Sequence, residues 1–239
     1  MELSIVIPAY NEEKRIAFTL EKSIAFLQER PWQYELLPVD DGSADATVER
    51  INEVSNLYPQ VRCIENGRNR GKGYSIRHGL DEAKGQYIGF MDADYKTDIA
   101  ALDDVMPLFL DGADGIIGDR TLGKTEITHA RKRYREVGSH VFRTMLQVLM
   151  GLRQYDDTQC GFKFFRADVI RDLFARQKVD GYMFDVEILL LASKVGYRIE
   201  KIPVKWTFDP DSRFNPVVGM VRNMSELARI RWQHRGTMD

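Results

Sequence analysis

Two carboxylates spaced two residues apart, Asp92 and Asp94, close an apolar run that ends at Met91. Side chains alternate along a strand, so both acids can leave its end on the same side. Magnesium and manganese take hard oxygen ligands and commonly bridge carboxylates to substrate phosphates. Alone, an Asp-x-Asp would read as a solvated acidic turn. It does not stand alone, because Asp40-Asp41-Gly42-Ser43-Ala44-Asp45 follows a second apolar run. Gly42 permits a tight turn there, and Ser43 or Asp45 can cap a helix that follows. Capping does not account for Asp40 at the end of the run, where a carboxylate can accept hydrogen bonds from a nucleobase or ribose. A third run is followed by Pro8, Tyr10, Asn11 and Glu12.

The segment Gly67-Arg68-Asn69-Arg70-Gly71-Lys72-Gly73 looks like a phosphate loop at first sight. The Walker spacing requires four residues between its glycines and then Lys-Ser/Thr; here three intervene and Gly73 follows Lys72. The dinucleotide fingerprint fails as well. Backbone amides at a helix start, with Lys72, remain able to favour an anion, and a plain surface turn remains the alternative.

The elements that must position these groups are legible as alternating periodicities. Short apolar runs cover residues 3–7, 34–39, 61–64 and 87–91, with helical patterns over 12–29, 44–56 and 72–84 between them. That alternation predicts βαβ units, a mostly parallel central sheet flanked by helices, and ligands beyond the carboxyl ends of its strands. Further on come a short strand within 112–118, a basic stretch, a helix over 130–150 and a polar turn at 156–159. An apolar run at 162–165, a helix over 184–193, a strand over 197–204 and a helix over 216–232 complete the chain. No Pro/Gly/Ser-rich linker or repeat interrupts it, so one α/β domain over residues 1–239 is expected.

With 239 residues, 44% of them hydrophobic, the chain can build one large core. Its 34 basic and 36 acidic residues leave a formal charge of −2, which gives no footing for nucleic acid. Cys63 and Cys160 are far apart and lack metal-ligand spacing, so reduced thiols in a cytoplasmic setting are expected. The N-terminus lacks a signal-peptide pattern. No window approaches the ~18 apolar residues of a membrane span; the best, 141–152, is broken by Arg143 and Gln147.

In order, Ile7-Pro8-Ala9-Tyr10-Asn11-Glu12, Val39-Asp40-Asp41-Gly42-Ser43, Asn69-Arg70-Gly71-Lys72-Gly73 and Met91-Asp92-Ala93-Asp94 resemble the family 2 inverting glycosyltransferases. The resemblance continues through Gly118-Asp119-Arg120, Asp157-Thr158-Gln159-Cys160-Gly161-Phe162-Lys163 and Phe184-Asp185-Val186-Glu187. Within that family it is nearest the polyprenyl-phosphate (dolichyl-phosphate) glucosyl- and mannosyltransferases. It implies a GT-A fold, with a nucleotide-sugar-binding half over 1–118, an acceptor-side half over 119–212 and an amphipathic basic C-terminal helix over 213–239. It implies that Pro8, Tyr10, Glu12 and Asp40 or Asp41 meet the nucleoside of a UDP-glucose or GDP-mannose type donor, with Lys72 beside them. Asp92 and Asp94 match the metal and diphosphate motif, for Mg2+ or Mn2+, with Asp94 the direct ligand. Arg120 matches a position that meets the donor diphosphate, and Arg135 with Ser139 match positions at the acceptor phosphate. Asp157 matches an acidic residue near the acceptor, where it orients a phosphate or, for a hydroxyl acceptor, removes its proton. One departure stands out: where mannosyl-type members often carry a metal-assisting Gln, this chain has Lys96. An ammonium cannot ligate a metal, so Lys96 either faces solvent or reaches a phosphate, which tilts the reading toward the glucosyl branch.

The stretch Arg131-Lys132-Arg133-Tyr134-Arg135 reads either as a solvated helix face or as a cradle for an acceptor phosphate and anionic head groups. The terminal segment sets Arg222, Arg229 and Arg231 among Val217, Val218, Met220, Val221, Met224, Leu227 and Ile230. It reads equally as an interfacial helix on a membrane and as a helix packed on the domain. A polyprenyl phosphate acceptor would bring the chain to the cytosolic membrane face, peripherally or through a membrane-anchoring subunit. A non-lipid hydroxyl acceptor and a catalytically silent nucleotide-sugar binder are the competing functions; intact Asp92, Asp94, Arg120 and Asp157 weigh against silence. None of the four histidines joins a metal-like cluster, Trp206 and Phe184 read as core or acceptor-side residues, and at least one of Asp185 and Glu187 should be paired and partly buried.

Overall fold

The computed structural model describes residues 1–122, 144, 146–207 and 216–235. Among them one mixed sheet runs in the order β3-β2-β1-β4-β6-β5-β7. Its strands are β1 Leu3–Ala9, β2 Tyr34–Asp40, β3 Ile64–Glu65, β4 Tyr87–Met91, β5 Gly115–Asp119, β6 Phe162–Arg166 and β7 Ile199–Pro203. The helices are α1 Ile16–Gln28, α2 Thr47–Leu57, α3 Lys72–Glu82, α4 Leu102–Leu110, α5 Ala167–Arg176, α6 Phe184–Val195 and α7 Pro216–Gln233. A short 3-10 turn, Ile99–Ala101, leads into α4.

Strands β1, β2, β3 and β4 are mutually parallel, as are β5 and β7. Strand β6 runs antiparallel to both β4 and β5 and joins the two parallel blocks. Both faces of the sheet are covered, which is why its strands read as apolar runs rather than as alternating patterns. Period-2 alternation still assigns side chains to faces. Ile88 and Phe90 point into a core with α3, α5 and α6, whereas Tyr87 and Met91 point into one with α1, α2 and α4. Helix α6 is buried from Phe184 to Ala192, as an element enclosed on every side must be.

Most expected elements are present, and two helices are additional. Helix α4 presents Leu102, Val105, Met106 and Phe109 at helical spacing, a pattern obscured in the sequence by Pro107 within it. Helix α5 begins directly after β6 without a breaker and buries Val169, Ile170, Leu173 and Phe174, so its start merged with the preceding apolar run. Strand β3 is shorter than 61–64 suggested; Val61 makes only an isolated bridge to Leu36. The helix expected over 130–150 lies mostly outside the described residues, with 146–150 helical. In α7 the core takes up Leu227 and Ile230, with Met224 packed against it. Those residues therefore serve the packed reading of the C-terminal helix, not the membrane-facing one. Among the described residues no helix is long and apolar enough to cross a membrane.

Candidate active site

The exits of β1, β2 and β4 lie on one edge because their registers align: Ala9 pairs with Asp40, and Val6 with Phe90. The first two exits are laced together. The Asn11 backbone N–H donates to Ser43 Oγ at 2.9 Å, and the Asn11 side-chain oxygen accepts from Ala44 N at 2.9 Å. Glu12 N donates to Thr47 Oγ1 at 2.8 Å. Asn11 holds a positive φ of 55°, a region Asn tolerates better than most residues, and this turns the chain toward the β2 loop. Tyr10 stands 47% exposed above this lacing, and Pro8 is half-buried below it. Glu12 forms a bidentate pair with Arg15, at 2.6 and 2.7 Å.

The two acids after β2 face inward. Asp40 accepts from the backbone N–H groups of Gly42 and Ser43, at 3.0 and 3.1 Å, and so fixes its own turn. Gly42 adopts φ +74°, and a Cβ there would meet the Arg68 backbone at 2.5 Å, so only glycine lets the two loops touch. Asp41 accepts from Arg70 N at 2.8 Å, Gly71 N at 2.9 Å and Asn66 Nδ2 at 2.8 Å. The amides that could have greeted an external anion at the start of α3 therefore hold an internal one.

The next residue along that loop reaches the third exit. Lys72 Nζ lies 2.5 Å from Asp92 Oδ1. Adjacent residues at the start of α3 thus grip Asp41 and Asp92, which brings both acids to one edge of the sheet. Burial would lower the Lys72 pKa, but the charges of Asp92 and Asp185 hold it above its ordinary value. Burial would raise the Asp92 carboxyl, yet Lys72, Lys163 and Arg120 keep it below the usual range. Room for Asp92 comes from Gly161: a Cβ there would collide with the Asp92 carboxylate, and Asp92 N donates to the Gly161 carbonyl at 3.1 Å. Beneath it Lys163, fully buried, donates to Asp185 Oδ1 at 2.6 Å and to the Cys160 carbonyl at 2.5 Å. Burial raises the Asp185 carboxyl despite that partner.

Asp94 carries the remaining acid of the pair. Its Oδ2 is 2.7 Å from Lys96 Nζ, and its Oδ1 accepts from Lys96 N at 3.2 Å. Lys96 therefore does not face bulk solvent; it neutralises Asp94. On the opposite side, Arg120 grips Asp157: Nε to Oδ2 at 2.6 Å, a terminal nitrogen to Oδ1 at 2.7 Å, and its backbone N–H to Oδ2 at 3.1 Å. The guanidinium also lies over the Trp206 ring at 5.5 Å. Burial alone would raise the Asp157 carboxyl, but the Arg120 hydrogen bonds and charge hold it below the usual range. Arg120 and Lys163 both act on Asp92, so the Arg120–Asp157 pair and the strand-exit acids share one electrostatic site.

A divalent ion suits this donor set. No group of three or more metal-binding side chains occurs among the described residues. Magnesium-type sites, however, are held by one or two carboxylates plus substrate phosphates, and the side chains of Asp92 and Asp94 keep 39% and 16% of their surface exposed.

The comparisons with known proteins decide the family. The Glycosyl transferase family 2 profile matches residues 4–174. The chain belongs to glycosyl transferase family 2. It is 36% identical over 231 residues to the dolichyl-phosphate beta-glucosyltransferase of Drosophila melanogaster, covering 90% of this chain and 70% of that one. To the enzyme of the same name from Saccharomyces cerevisiae it is 33% identical, over 96% of this chain and 74% of the other. Among solved structures, glucosyl-3-phosphoglycerate synthase from Mycobacterium tuberculosis, in complex with Mn2+, UDP and glucosyl-3-phosphoglycerate, superposes with a TM-score of 0.74. That match spans all of this chain and 81% of the other at 19% identity, which establishes the shared GT-A fold. This family 2 glycosyltransferase thus has the fold expected from its sequence.

Arg131, Arg135 and Ser139, expected at the acceptor phosphate, lie outside the described residues. Two contributors escaped the sequence reading as site residues, Lys163 and Gly161. A lysine inside Phe162-Lys163-Phe164-Phe165 was the available signal, since a cation within a buried strand requires a buried partner. Asp185 is that partner. Glu187 is buried too and accepts from Lys178 N and Val179 N, with His234 Nε2 at 2.7 Å. Both acids of α6 are thus structural supports of the loops around the site. Cys63 and Cys160 are free thiols.

Proposed function

We propose that this family 2 glycosyltransferase moves a hexose, glucose first among candidates, from a nucleoside-diphosphate sugar to a polyprenyl (dolichyl) phosphate with inversion at the anomeric carbon. The Arg120–Asp157 clamp carries the reading. A carboxylate held in four hydrogen bonds below its usual pKa is a poor base for an alcohol. A phosphate monoester, with a second pKa near ~6, reaches the site already deprotonated and needs no base. The names of the relatives agree with that acceptor.

In this reading Tyr10, open to solvent at the cleft edge, and Pro8 receive the nucleobase, while Glu12, Asp40 and Asp41 hold the two loops in the shape that receives it. Asp94 with Asp92 would hold a Mg2+ or Mn2+ ion, which would supply charge neutralisation for the departing diphosphate. Lys72 and Arg120 add fixed positive charge around it. An acceptor phosphate oxygen forms the new bond to the anomeric carbon as the bond from that carbon to the diphosphate oxygen breaks. Asp157 aims Arg120, and Arg131, Arg135 and Ser139 are assigned to the acceptor phosphate. Such an acceptor places the enzyme at a membrane surface.

The test is a panel of UDP- and GDP-sugars with Mn2+, with and without a short-chain polyprenyl phosphate. Sugar in the lipid fraction, dependent on the phosphate lipid, is the expected result. Donor hydrolysis indifferent to the lipid would overturn it in favour of a non-lipid acceptor.

A further inference from the structure

Each acid of the Asp92–Asp94 pair already has an ammonium on it: Lys72 on Asp92 at 2.5 Å and Lys96 on Asp94 at 2.7 Å. We infer that Lys96 is a mobile internal counter-cation that makes divalent-ion binding conditional on the donor's diphosphate. The inference rests on the metal-dependent reading above and concerns how that site is loaded.

The backbone around Lys96 is built to hold its main chain still. Tyr95 adopts a φ of 51°, a left-handed conformation that costs a bulky residue on the order of 1 kcal/mol or more. The Tyr95 ring meets Phe18 edge-on at 5.6 Å. This turn brings Lys96 N onto Asp94 Oδ1. On the far side, Thr207 N donates to the Lys96 carbonyl at 2.9 Å, Thr97 bridges to Trp206, and Asp98 N donates to the Lys205 carbonyl at 3.2 Å. With the backbone pinned on both sides, the freedom left to Lys96 is that of its flexible four-carbon stem. The Lys96 side chain is 20% exposed, and rotation of its stem can take the ammonium off Asp94 without any rearrangement of the strand exit.

Charge then sets the order of loading. Lys72, Lys96, Asp92 and Asp94 sum to zero formal charge. A divalent ion arriving alone would raise that to about +2 and would have to displace the Lys96 ammonium from Asp94. A sugar-diphosphate arriving alone, carrying about −2, would lower it by as much. Together they restore neutrality, with the ion on Asp94 and the Lys96 ammonium transferred to a phosphate oxygen. Each ligand therefore favours the other, and by linkage the effect is reciprocal. A neutral metal-assisting side chain at this position would leave Asp94 open to the ion at all times. Lys96 closes it until the diphosphate is present.

Mn2+ titrations of the full chain, followed by the electron paramagnetic resonance of the free ion with and without saturating UDP, test this without turnover. The wild type should bind Mn2+ at least tenfold more tightly with UDP than without. Lys96→Gln should bind Mn2+ about tenfold more tightly than wild type in the absence of UDP, and the UDP effect should shrink to about threefold. Lys96→Arg, which keeps the charge, should behave like the wild type, and thermal melts check that both variants fold. UDP-free Mn2+ affinity equal in wild type and Lys96→Gln, with UDP-dependent binding intact in both, would overturn the counter-cation role alone. No Mn2+ binding to the wild type even with UDP would overturn the metal-dependent reading and this inference with it.

Discussion

Arg120 closes on Asp157 as a planar fork, with its own backbone N–H adding a third bond to the same carboxylate. Only arginine can offer this geometry. Asp157→Asn should keep the shape but lose the charge that aims the guanidinium. We expect transfer to fall about a hundredfold, mostly in kcat, and urea unfolding to show a loss on the order of 2 kcal/mol. Transfer within threefold of wild type would remove Arg120–Asp157 from the reaction.

The same clamp gives a pH dependence of defined sign. The folded carboxyl of Asp157 lies below its ordinary value, taken as about 3.9 in an unfolded chain. Its stabilisation is therefore complete above about pH 4 and is lost as pH falls toward the folded value. The stability gap between wild type and Asp157→Asn should hold from neutrality to about pH 4 and narrow below it. In transfer assays the acid limb should instead follow the acceptor phosphate, near ~6. An acid limb that moves in Asp157→Asn would contradict this assignment.

Asp94→Ala should abolish transfer while leaving the melting profile nearly unchanged. Its partner Lys96 is partly exposed, and such pairs contribute within about 1 kcal/mol. Near-normal transfer by this variant would refute the metal role of Asp94.

Gly161→Ala places a methyl group where the Asp92 carboxylate sits. The expected outcome is displacement of Asp92 from Lys72, with donor affinity and kcat each reduced about tenfold or more. A crystal structure of the variant with Asp92 unmoved would dispose of this explanation.

Lys163 and Asp185 form a buried pair whose members should differ sharply when removed singly or together. Lys163→Met leaves Asp185 buried without its partner and should cost about 3–5 kcal/mol. The double change Lys163→Met with Asp185→Leu should recover most of that loss, as chemical unfolding of the three proteins would show. Equal losses in the single and double variants would mean that the cost of Lys163→Met does not come from leaving Asp185 buried and unpaired.

How much of this was legible in the chain follows from the physics of each signal. The exits at Tyr10, Asp40 and Asp92 were readable because buried strands leave apolar runs and their ends leave turn residues. That they meet depends on sheet order and register, which no local pattern encodes; the Lys72–Asp92 and Asp41–Arg70 contacts were therefore invisible. So was the inversion of β6, since an apolar run of five residues has no direction. Helix α4 was overlooked because Pro107 masked its period, and α5 because nothing punctuates its junction with β6. Lys96 stands out by its type, but its pairing with the Asp94 carboxylate two residues away depends on the turn at Tyr95, which no local pattern encodes.

Strand β6 is clasped between β4 and β5, so the end of β5 at Asp119 and the start of β6 at Phe162 stand side by side in the sheet. Lengthening a connection between two anchored ends costs little, so residues inserted there should leave the strand register, and with it the exit at Asp92, where it is.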